Sequence, residues 1–97
     1  MSIKWLRLKR ICEELSGRTV QIHSSTEVAD DHIAATEFNE KEATILLNSG
    51  RTKSLEMVIR AIAHEITHIQ ESNDKHNIDF NEKWEKNVRM VTEKYNR

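Results

Sequence analysis

The chain has 97 residues, of which 37% are apolar and 32% charged, an ordinary globular balance far from the low-hydrophobicity, high-net-charge signature of disorder. Its 15 Lys and Arg stand against 16 Asp and Glu, so it offers nucleic acid or anionic lipid no global basic field, only a local patch at most. A chain this short buries only about 60–65% of the surface it exposes when unfolded, which implies one small core and a single domain over 1–97.

Cys12 is the single cysteine, which excludes an intrachain disulfide and a cysteine-based zinc ribbon and suits a reducing, cytoplasmic setting. The first ten residues break their apolar content with a basic residue every second or third position, unlike a signal-peptide core. No later run approaches transmembrane length, so no membrane partner is expected. With no proline and only Gly17 and Gly50, turns must come from Asn, Asp and Ser.

In chain order, residues 2–16 place Trp5, Leu8, Cys12 and Leu15, with Leu6 and Ile11 beside them, on one face of a core-packed helix that Gly17 stops. Cys12 on that face reads as packing rather than as a nucleophile or a latency ligand. Thr19 to His23 alternates as a first strand ended by Ser24 and Ser25, with His23 pointing away from Val20 and Ile22 as a solvated histidine. Residues 32–38 and 43–48 flank the polar turn 39–42 and form a hairpin whose second strand is the more buried. Thr52 or Ser54 then caps a long helix that ends at Asn73, Asp74 and Lys75. A last helix, capped by Asn77 and opened by Asp79, carries the stripe Phe80, Trp84, Val88, Val91 and Tyr95. The whole is an α+β fold: N-terminal helix, small twisted sheet of about three strands with a hairpin, long helix and C-terminal helix.

The long helix contains His64-Glu65-Ile66-Thr67-His68. Histidines four apart lie about one turn from each other on one helix face, so two imidazoles can aim at one ion, while Glu65 lies roughly 100° round, within reach of a water on that ion. Leu55, Val58, Ile59, Ile62, Ile66 and Ile69 fall on a separate arc, about 120–220° from His64, which predicts a core face and a histidine face opening on a cleft. Ala61 and Met57 share the histidine side, and the small Ala61 leaves room above the pair.

A catalytic zinc needs three protein ligands and an open position, so a third is required. His76, just past the helix end, is the first choice, because a turn of backbone can fold it back towards His68. Glu71 shares the histidine face, but three ligands on one straight helix spread too far for one ion, which makes it a rim carboxylate. Glu82 and Glu85 lie opposite the Phe80, Trp84, Val88 stripe and should face solvent; Asp74 and Asp79 stay open as ligands or as acceptors for an imidazole N–H. With these parts, zinc polarises a scissile carbonyl and acidifies a water, and Glu65 serves as general base and then protonates the leaving amine. An extended peptide would lie along an exposed strand edge, which either arm of the hairpin could provide. Tyr95, His23 and His32 are oxyanion candidates by chemistry alone.

The segment from Leu55 to His68, followed by His76-Asn77-Ile78-Asp79-Phe80, resembles the small zincin metallopeptidases: SprT-like and YgjP-like proteins and the single-domain minigluzincins. In the SprT-like and related groups a third histidine precedes by four residues an aromatic that opens the next helix, a pattern that His76 and Phe80 match. The resemblance implies His64, His68 and His76 as zinc ligands and Glu65 as catalytic acid/base. The zinc ribbon or basic tails that accompany DNA-bound substrates in SprT-like proteins are missing, and minigluzincins imply a glutamate as third ligand. The alternative to a peptidase is a zinc-stabilised binding or regulatory module that holds the metal without turnover; Glu65 separates the two, because a structural site closes with four protein ligands and needs no poised carboxylate.

Overall fold

The computed structural model describes residues 3–26, 33–71 and 78–97. Among them the order is α1 (Trp5–Ser16), β1 (Thr19–Ser25), β2 (Ala34–Phe38), β3 (Glu42–Asn48), α2 (Leu55–Glu71) and α3 (Ile78–Asn96), the α+β arrangement expected. Asn73 to Asn77, with the expected helix stop and cap, and the strand start at His32 lie outside the described residues.

The first helix enters the core through Leu8, Ile11 and Cys12, while Trp5 and Leu6 are 40% and 61% exposed. Leu6 departs from the expected face for a simple reason: at about 100° per residue it lies roughly 160° round from Leu8. Trp5 lies on the right side but in the first turn, at the edge of the covered surface. Gly17 closes the helix at φ 69°, its N–H donating to the Glu13 carbonyl at 2.9 Å. The Glu13 carboxylate accepts the Val20 N–H at 3.0 Å and the Lys9 ammonium at 3.0 Å, tying β1 to α1. The other end of α1 is tied to α3: the Lys4 N–H donates to the Tyr95 hydroxyl at 3.0 Å, and Arg7 to the Tyr95 carbonyl at 2.7 Å.

The sheet has the order β1-β3-β2, β1 parallel and β2 antiparallel to β3. The hairpin between β2 and β3 turns on Asn39, whose side-chain oxygen accepts the N–H groups of Lys41 and Glu42 at 2.8 and 2.9 Å. Because β3 is paired on both sides it cannot present an edge to a peptide; of the hairpin's two arms only β2 lies at an edge of the sheet among the described residues. The first strand runs two residues past its expected end, since the parallel ladder continues to Ser25 opposite Asn48. Register fixes orientation. Ala43, Ile45 and Leu47 are buried, and their partners Phe38, Thr36 and Ala34 share that face, whereas His23 pairs with Leu46 and is exposed on the opposite one.

Ser54 caps α2, its Oγ accepting the Met57 N–H at 3.2 Å. Val58, Ile59, Ile62, Ile66 and Ile69 of the apolar arc join Leu8, Val20, Ile45, Leu47 and Val91 in one core cluster, with Leu55 packed at its margin. In α3, Val91 and Tyr95 lie in that cluster and Trp84 and Val88 against it. No helix among the described residues is long and apolar enough to cross a membrane.

Candidate metal centre

Helix geometry brings the two histidines together as the spacing requires, their ring centroids 4.8 Å apart and their planes at 78°. One donor atom each from His64, Glu65 and His68 lies within 4.8 Å of the others, so the three form a group able to hold a metal ion. Imidazole donors suit a borderline divalent ion, and the carboxylate beside them can either join the ion or stand next to it. Glu65 Oε1 lies 3.9 Å from His64 Nδ1. Its other oxygen, Oε2, accepts the Thr36 hydroxyl of β2 at 3.0 Å, so the carboxylate is held between the imidazoles and the sheet.

The histidine face is more enclosed than amphipathicity suggests. His68 and Glu65 are 8% and 4% exposed, and the His64 side chain is 26% exposed. The cover over the histidines comes from α3. The Phe80 ring, 2% exposed, lies 5.2 Å from His64 and 4.6 Å from His68 between centroids, and Trp84 stands 4.7 Å from His64 in an edge-on contact. An imidazole is counted as polar in a hydropathy pattern, yet its ring packs edge-to-face like other aromatics, which is why α3 can cover this side.

Two polar connections hold α3 in place. The Trp84 indole donates to the Arg60 carbonyl at 2.9 Å, while the Arg60 guanidinium lies 5.2 Å over the Trp84 ring and pairs with Glu85 at 2.8 Å. Deeper along the interface, the buried Asn87 amide donates to Thr67 Oγ1 and Gln70 Oε1, both at 2.9 Å, and the Thr67 hydroxyl donates to the Ala63 carbonyl at 2.7 Å. Beside His64 opens a cavity of about 450 Å³ lined by Ile33, Met57, Arg60, Ala61, His64 and Trp84. Ile33 and Met57 are 47% and 42% exposed, large apolar side chains left on the surface at the metal group.

The other candidates fall as follows. His76, His32 and Asp74 lie outside the described residues. Glu71 pairs with Lys83 and raises its ammonium above the ordinary lysine value by accepting its hydrogen bond. Glu82 and Glu85 are exposed, as their positions opposite the α3 stripe predict, and Asp79 is exposed in the first turn of α3. Tyr95 serves the junction of α1 and α3, and His23 faces away from the helices. The residue missed from sequence is Thr36. The signal was present in outline: at an inward-facing strand position, between Ala34 and Phe38 on the same face, a hydroxyl needs a polar partner on the helix above.

Neither a family model, a curated protein nor a solved structure matches the chain.

Proposed function

We propose that the protein is a zinc-dependent peptidase of the zincin type, holding the ion through His64 and His68 with His76 as third ligand, and using Glu65 as the base. The observation that carries this reading is the convergence of the His64, Glu65 and His68 donor atoms with Glu65 anchored by a hydrogen bond from β2. A zinc ion held there would supply a Lewis acid able to polarise a carbonyl and acidify water. Glu65 takes the proton of the attacking water and returns it to the leaving nitrogen. An extended peptide pairs with the open edge of β2, and the cavity beside His64 receives an apolar side chain against Ile33, Met57 and Trp84. Burial pushes the thiol of the lone Cys12 up to about 12, which makes it packing and not a nucleophile, and the scarcity of cysteine is what favours a cytoplasmic location for this enzyme.

The test compares wild type with Glu65→Ala for bound zinc and for cleavage of casein and of the protein itself. Zinc in both and cleavage in the wild type alone are expected. A wild type that binds zinc but cuts nothing favours a second reading, a zinc-stabilised binding module, which the enclosure of His68 beneath Phe80 of α3 and of Glu65 against β2 also supports.

A further inference from the structure

We infer that Thr36 is the positioning residue for Glu65, selecting which carboxylate oxygen serves as base; this rests on the peptidase reading above. A carboxylate that is 4% exposed needs donors, and an ionised one can only accept. The Thr36 hydroxyl donates to Oε2 at 3.0 Å, while Oε1, 3.9 Å from His64 Nδ1, is the oxygen turned towards the imidazoles. With Oε2 committed, rotation of the carboxylate about its last bond is restrained and Oε1 is left to handle the proton.

The donor is well placed to be rigid. Thr36 stands in the middle of β2, paired with Ile45, and the pleat sends both side chains to the helix-bearing face. Its β-branched side chain has few rotamers, so the hydroxyl stays where the strand puts it. The same strand lies at an edge of the sheet among the described residues, where the peptidase reading puts the extended peptide. The base is therefore tied by a hydrogen bond to the strand on which the peptide would pair, which restrains the approach geometry on which rate depends.

Thr36→Val keeps shape and removes the donor; Thr36→Ser keeps the donor and removes a methyl. The valine variant is expected to lose about tenfold in kcat with KM and zinc affinity unchanged, and the serine variant to recover most of it. A valine variant with wild-type kcat overturns the proposal. So does loss of zinc affinity in both variants, which marks Thr36 as structural. A readout independent of turnover is the double-mutant cycle of Thr36→Val and Glu65→Ala on the unfolding constant, with an expected coupling of about tenfold for a hydrogen bond to a charged group. Additive effects overturn the proposal whether or not the protein cleaves anything. Coupling together with a zinc-loaded wild type that cuts no substrate overturns the peptidase reading instead.

Discussion

His64 and Glu65 are adjacent in sequence and meet different surroundings: the imidazole is partly open beneath Trp84, and the carboxylate is enclosed against β2. That difference follows from the roughly 100° step of the helix, which aims one side chain at α3 and the next at the sheet. Glu13 of α1 shows the same kind of placement, its carboxylate tied to a strand. Its hydrogen bond from the Val20 N–H, then that from Lys9, lower its pKa below the ordinary 4.5. A carboxylate whose folded pKa is depressed stabilises the fold above its unfolded value, and the contribution disappears as pH falls through the lower, folded one. Glu13→Gln is therefore expected to lower the urea midpoint at pH 7, with the gap to wild type narrowing below pH 4.5 and closing at more acid pH. A gap that stays constant down to pH 2 would show that the hydrogen-bond geometry matters and the charge does not.

Between elements, the contact of α2 with α3 decides how open the metal group is, and it rests on a buried amide as well as on rings. Asn87 is 3% exposed, and its Nδ2 donates two hydrogen bonds to α2. Asn87→Ala removes them and leaves a small void, at an expected cost of about 1–3 kcal/mol in urea unfolding. A cost below half a kcal/mol would mean that the Phe80 and Trp84 contacts alone seat α3. Much of this architecture was legible beforehand. The β2–β3 hairpin, the Ser54 cap, the Gly17 stop and the core arc of α2 each depend on local spacing, and local spacing is what a sequence displays. The parallel pairing of β1 with β3 was not, because a strand pattern gives burial but not partner, and so both hairpin arms looked open. Leu6 was placed on the wrong side by its neighbours rather than by its angle. The enclosure of His68 escaped because it depends on where α3 lies, which no residue of α2 encodes.

At the scale of the whole molecule, one apolar cluster draws on α1, β1, β3, α2 and α3, while β2 contributes Ala34 and Phe38 at its margin and Thr36 to the metal group. The helix carrying His64 and His68 is thus shared between the core and the site, and a ligand gripping that helix bears on the stability of everything packed against it. An ion that binds the folded state alone stabilises it by mass action, by about 2.7 kcal/mol at one hundred times Kd, and small domains convert each kcal/mol into about 4–8 °C. Zinc at that concentration is expected to raise the melting temperature of the chelator-treated protein by roughly 10–20 °C in a scanning fluorimetry or calorimetry experiment, and excess EDTA to reverse it. His68→Ala should abolish the shift, whereas Glu65→Ala should retain most of it, since the carboxylate is assigned to the base and not to the ion. A large loss in Glu65→Ala would make Glu65 a ligand and leave the site without its base. The same measurement on His76→Ala decides the third ligand: an unchanged shift removes His76 from the site.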